Sequence, residues 1–169
     1  CYPRRFFWLT ERFLCSICKW FCSYISQNKR QRISRCKKIG FFDSGIGGLT
    51  VLSEALKRLP NHEYLYYADT QHAPYGPKPK EEVREYVFKA IEFLVNEGCQ
   101  IIVIACNTAT SIAVSELRQK YSIPIIGMEP AVKVAAQTLD GDSSKKIIVT
   151  ATELTLKLEK LDNLIHRLG

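Results

Sequence analysis

Residues 100–127 read QIIVIACNTATSIAVSELRQKYSIPIIG, and this stretch decides the fold. It opens with a continuous apolar run, Gln100–Ala105, too short for a buried helix and rich in β-branched residues, so it predicts a strand. Asn107–Tyr121 follows with helical spacing, and Ile123–Gly127 is a second apolar strand. Strands that are apolar throughout, without polar alternation, belong to a parallel sheet covered on both faces. A strand, a helix and a second strand in that order form the right-handed crossover unit of such sheets.

The same alternation extends outward in both directions. Ile39–Asp43 predicts a strand, and Gly47–Pro60 a helix ended by its proline. His62–Asp69 is strand-like, with aromatics suited to a pleat, and Thr70–Pro79 is turn-rich. Lys80–Gly98 carries Val83, Tyr86, Val87, Ala90, Phe93 and Leu94 at the 3/4 spacing of an amphipathic helix. Past Gly127, Glu129–Leu139 predicts a helix, Lys145–Ala151 a fifth strand, and Thr152–Leu168 a last helix. Five strands alternating with helices give an α/β fold with a doubly wound parallel sheet.

Charge and cysteine set one segment apart. The chain has 169 residues, 46% of them apolar, and a net charge of +7. Residues 1–38 hold ten Lys/Arg against the single acid Glu11, a balance of +9, whereas the remainder holds fourteen against sixteen, or −2. The body therefore lacks the basic footprint of a nucleic-acid binder. Five of the seven cysteines (Cys1, Cys15, Cys18, Cys22 and Cys36) also fall in the first segment, leaving Cys99 and Cys106 in the body. An odd total without regular spacing argues against a secreted disulfide scaffold and for a reducing cytoplasm.

In residues 1–38 the apolar run is broken by Glu11, Arg12 and Lys19, short of the roughly 20 apolar residues of a membrane span. No signal-peptide core or cleavage site is evident. Cys15-x-x-Cys18 with Cys22 and Cys36 is a poor match to zinc spacing and has no nearby histidine. An interfacial amphipathic helix and a non-functional extension remain as readings of this basic, aromatic, cysteine-rich segment.

Ligands of doubly wound sheets bind at the carboxyl ends of the strands. The first end carries Asp43 and Ser44, then Gly45, Gly47 and Gly48 before a helix. This spacing is not the dinucleotide pattern, and an acid ahead of the glycines would repel phosphate. Asp43 and Ser44 read either as helix caps or as ligands for an ammonium group. The second end carries Asp69, Thr70 and the turn Pro74-Tyr75-Gly76; Tyr75 reads as surface packing or as a ligand contact. The third carries Cys106-Asn107-Thr108. A thiol at a helix start meets unpaired N–H groups and the positive end of the helix dipole, which favours the reactive thiolate. The competing reading is a buried, inert cysteine. Asn107 and Thr108 serve equally as caps or as ligand hydrogen-bonders. Gly127-Met128-Glu129-Pro130 and Thr150-Ala151-Thr152 close the fourth and fifth ends. His62, His72 and His166 show neither triad nor metal spacing, so no metal site is expected; His72 lies in the second ligand-edge loop.

IGFFDSGIGGLTVL, YYADTQHAPYG, IIVIACNTAT and IPIIGMEPAV, in this order and spacing, resemble the glutamate racemases of the aspartate/glutamate racemase superfamily. The resemblance runs from about Ile39 to near the C-terminus, and residues 1–38 have no counterpart in it. It implies a cofactor-independent isomerase that makes D-glutamate for bacterial peptidoglycan, with two pseudo-symmetric α/β lobes clamping glutamate between two cysteines, and it leaves homo-oligomers open for the full-length family. By matching motifs it assigns Cys106 as one catalytic acid/base, and Asp43, Ser44, Tyr75, Gly76, Asn107 and Thr108 as substrate-binding residues. It divides the chain into an incomplete first lobe, residues 39–128, and the opening of a second, residues 129–169.

The chemistry agrees with this assignment. Racemisation removes the Cα proton from one face and returns one to the other, which needs two facing groups in opposite protonation states. No cysteine follows Cys106 in the 169 residues. Cys99 lies seven positions back along the same strand, on the order of 20 Å away, and cannot be the partner. The family's second cysteine belongs to a later Cys-Thr-His motif that this sequence lacks. The chain by itself is therefore expected to bind substrate weakly and not to racemise it. Three readings follow: a racemase fragment, a non-catalytic amino-acid-binding or regulatory remnant of the same superfamily, and a hydrolase or isomerase using Cys106 alone.

Overall fold

A computed structural model describes residues 38–128 and 148–157. Four strands alternate with helices: β1 (Lys38–Asp43), α1 (Leu49–Arg58), β2 (Glu63–Ala68), α2 (Lys80–Asn96), β3 (Ile101–Ile104), α3 (Asn107–Lys120) and β4 (Ile125–Gly127), followed by the single turn α4 (Glu153–Leu156). The strands form one parallel sheet in the order β2-β1-β3-β4. This is the doubly wound α/β sheet expected from the pattern.

The apolar strands bury both faces. Along β1 and β3, Ile39, Phe41, Ile101 and Val103 pack on one face with Ala55 of α1, joined by Ile126 of β4. The alternate residues Phe42, Ile102 and Ile104 pack on the other face, against Val83, Val87, Ile91 and Leu94 of α2 and Ala109, Ala113 and Leu117 of α3. The period of two thus appears as two separate cores, because neither face is left to solvent. Placing α1 on one face and α2 and α3 on the other is what right-handed crossovers dictate when β1 leads outward to β2 and β3 outward to β4.

Those opposite exits make the β1/β3 pair a topological switch point. Phe42 pairs with Ile104 in register, and Ala105 N–H donates to Phe42 O at 2.7 Å, so both strands end at one level. The turns above them diverge, at the place where this architecture usually forms its ligand crevice.

Some expected elements fall elsewhere. The helix over residues 129–139, the segment 1–37 and most of the last helix lie outside the described residues. Of the fifth strand, residues 148–151 join no ladder, and Ile148 is 88% exposed. Their apolar run leads into Thr152, whose hydroxyl caps α4 by accepting from Thr155 N–H at 3.2 Å.

Ile102 is fully buried between β1 and the α2/α3 layer. Ile102→Ala should lower unfolding stability by about 2–5 kcal/mol. Leu56→Ala, on the exposed side of α1 at 46% exposure, should change it by about 0.5 kcal/mol or less. Urea titrations of both variants check the contrast.

Candidate active site at the ends of β1 and β3

The turn after β1 is organised by Asp43. This buried carboxylate accepts from Gly48 N–H at 3.0 Å and Gly45 N–H at 3.3 Å through the same oxygen, Oδ2. These bonds close the turn ahead of α1, whose N-cap is Gly48. Gly48 is needed for a steric reason: a Cβ there would lie 2.8 Å from Ala105 Cβ and 2.9 Å from Asp43 Cβ. Tyr66 of β2 clasps the turn from the side, donating its hydroxyl to Gly45 O at 3.0 Å. Burial first, and then the negative charge of Asp43, push the Tyr66 phenol from its ordinary value of 10.0 up to about 12.

Cys106 is the N-cap of α3, with extended backbone (φ −91°, ψ 123°) and 8% exposure. Its sulfur accepts from Ala109 N–H at 3.5 Å, so a helix-terminal donor points at the atom that would carry negative charge. The thiol also reaches across the switch point and donates to Ser44 Oγ at 3.5 Å. Ser44 is thereby joined to the thiol rather than to its own helix. The sequence-predicted residues Asp43, Ser44 and Cys106 converge, although 62 positions separate Ser44 from Cys106.

Asn107 is exposed in the first turn of α3, whereas Thr108 is buried. The Thr108 hydroxyl lies 2.9 Å from Thr155 Oγ1 and 3.1 Å from Thr152 Oγ1, which are themselves 2.9 Å apart. This triangle of hydroxyls binds the α3 start to α4. Gly76 backs onto it, since a Cβ there would meet Thr152 Cβ at 3.1 Å. Tyr75 is buried, not a surface residue, and its hydroxyl donates to Asp69 Oδ2 at 2.5 Å. Burial and that bond push the Tyr75 phenol up. Its hydroxyl is thus occupied, and what the turn offers a ligand is its backbone and ring.

Sequence reasoning did not assign Tyr66 or Thr155 to the site, and it placed Asp69 and Thr152 at strand ends without giving them a role. The spacing Thr152-x-x-Thr155 at a helix start was a readable capping signal; the partners of Tyr66 and Asp69 left none. Cys99 lies before β3 and is buried in the core, with β3 between it and Cys106. Among the described residues, no group of three or more His, Cys, Asp and Glu side chains is placed to hold a metal ion.

The family model described as Asp/Glu/Hydantoin racemase matches residues 49–169. The chain belongs to the Asp/Glu/Hydantoin racemase family. Within it, the chain is 57% identical over 130 residues to a glutamate racemase of Halothermothrix orenii, covering 77% of this chain and 50% of the relative. The glutamate racemase structure from Aquifex pyrophilus superposes with a TM-score of 0.69 at 38% identity, covering 78% of this chain and 52% of that one. The Escherichia coli glutamate racemase, solved with L-glutamate and the activator UDP-MurNAc-ala, superposes at 0.66 with 31% identity, covering 79% and 49%. The chain spans about half the length of the curated relatives it matches.

Two outcomes test this geometry. Gly48→Ala should displace the Asp43 turn and speed alkylation of Cys106, because the thiol's partner Ser44 lies on that turn; peptide mass mapping reads the rate. The raised Tyr66 phenol holds its proton more tightly in the folded chain than in the unfolded one. The stability it contributes is complete below pH 10 and is lost as pH rises from 10 to about 12. Tyr66→Phe should therefore flatten the fall of Tm over that window, while lowering neutral-pH stability by about 1 kcal/mol for the lost bond to Gly45 O.

Proposed function

We propose that this chain carries one half of a cofactor-independent glutamate racemase site that interconverts L- and D-glutamate for peptidoglycan synthesis in the cytoplasm. The observation that carries the reading is the placement of Cys106: a thiol capping α3 at the β1/β3 switch point and bonded to Ser44 across it. Its setting in a chain more than half identical to glutamate racemases over the matched region supports the substrate assignment. In this reading Cys106 takes the Cα proton as a thiolate or returns one as a thiol. Asp43, Ser44, Tyr75, Gly76, Asn107 and Thr108 hold the amino acid, and the N–H groups of the α3 start face developing negative charge. Residues 39–128 form the first lobe and residues 129–169 open the second. The opposing thiol comes from a segment equivalent to the part of the relatives that this chain does not match, and assembly into homo-oligomers belongs to the same reading.

The two-base mechanism has a sharp consequence. In heavy water with L-glutamate, the 169-residue chain alone should show no exchange of the Cα hydrogen. Fused in frame to the remaining half of the Halothermothrix orenii enzyme, it should exchange, and Cys106→Ala should reduce that exchange by at least about 100-fold. Exchange by the unfused chain that Cys106→Ala abolishes would point to one-base chemistry instead. A fused Cys106→Ala variant of undiminished activity would remove Cys106 from the mechanism.

A further inference from the structure

Asp69 follows β2 directly and is 4% exposed. Both of its oxygens are engaged: Oδ2 accepts from the Tyr75 hydroxyl at 2.5 Å, and Oδ1 lies 2.6 Å from His72 Nδ1. Its own N–H donates to Asp43 O at 2.9 Å, extending the β1/β2 pairing one step past the strands. The His72 ring in turn stacks on Tyr86, with centroids 3.8 Å apart and planes 17° from parallel. Tyr86 then donates its hydroxyl to Glu82 Oε1 at 2.7 Å on the same helix.

A buried carboxylate is costly unless donors meet its lone pairs, and apolar packing would close a surface turn at lower cost. What the carboxylate adds is direction. Donors three and six residues onward are fixed to two oxygens of one planar group, so the loop between β2 and α2 has a single arrangement. The fixed element is the Tyr75–Gly76 turn. Gly76 lies against Thr152, and Thr152 is bonded to Thr108 in the first turn of α3. Asp69 is thereby linked to all three strand ends: to Asp43 through its main chain, to Tyr75–Gly76 through its side chain, and through them to the helix that Cys106 caps.

We infer that Asp69 is the positioning residue of this ligand edge, setting the spacing between the Asp43–Ser44 turn and the Tyr75–Gly76 turn that an amino-acid ligand needs. The identity of that ligand rests on the racemase reading; the network does not. Asp69→Asn, nearly isosteric and uncharged, tests the inference, with Asp69→Ala as the harsher variant. Two measurements are needed on the 169-residue chain. One is alkylation of Cys106 by iodoacetamide, resolved by peptide mapping, across a titration of L-glutamate. The other is amide hydrogen exchange of the peptide carrying Tyr75–Gly76, read by mass spectrometry.

Asp69→Asn should raise the half-protecting glutamate concentration by about tenfold or more, as loss of a charge-assisted bond implies. It should also speed amide exchange in the Tyr75–Gly76 peptide, with the far-ultraviolet circular dichroism unchanged. Wild-type protection in Asp69→Asn, or unchanged exchange in that peptide, would overturn the assignment. If glutamate fails to protect even the wild-type thiol, the half-site binds too weakly for this titration, and amide exchange alone then decides whether Asp69 sets the turn. If Asp69→Ala does not fold, the asparagine variant decides.

Discussion

The register of β1 against β3 is the constraint on which the rest of this structure depends. Phe42 pairs with Ile104, and Ala105 N–H closes on Phe42 O at 2.7 Å. Because the ladder is parallel, both chains arrive at the same level travelling the same way, and both must leave it there. Their crossovers diverge to opposite sides, and the turn above each strand meets the other there through Cys106 and Ser44. A slip of one residue would turn Phe42 and Ile104 to the opposite face, breaking both cores at once. The register is therefore held by several large buried side chains, and the site receives its spacing from that same packing.

Above this level the chain meets a polar problem and solves it with side chains. Each strand end leaves backbone N–H groups without partners. Asp43 takes two of them and the Cys106 sulfur takes one, while Thr152 takes another at the start of α4. All three acceptors stand at or beside the residues proposed to hold the ligand. The groups that close the turns are thus the groups that shape the crevice, and the choice between cap and ligand for Asp43 or Thr108 is less sharp than it looks from sequence. A capping carboxylate is held in one orientation by its own bonds, which is what a binding group requires.

The two levels differ in how far they could be read in advance. The sheet was legible because burial leaves a local signature: four consecutive apolar residues in β3, and the 3/4 spacing of α2, report their surroundings directly. The convergence of Asp43, Ser44 and Cys106 was legible one step later, as a consequence of parallel strand order. The hydroxyl and carboxylate partnerships were not. Thr108 and Thr155 are 47 positions apart, and Tyr66 and Gly45 are 21 apart. Either side chain would have read equally well in a solvated loop. The described part of the expected strand Lys145–Ala151 misled for the same physical reason: an apolar run predicts a strand, but whether a ladder is open to receive residues 148–151 is settled elsewhere in the chain.

Cys106 gains meaning from this division between local and distant causes. Its sequence position alone left both an inert thiol and a reactive one open. Cys99 lies against Gly40 so closely that a Cβ on that glycine would come within 3.0 Å of its sulfur. Cys106, comparably buried, has a donor N–H and a hydroxyl as neighbours at the ligand edge. The two thiols thus stand near opposite ends of one short strand, and burial alone would not tell them apart. Exposure therefore says little about a buried thiol; a charge on sulfur can be supported only where donors already point at it, as the Ala109 N–H points at Cys106.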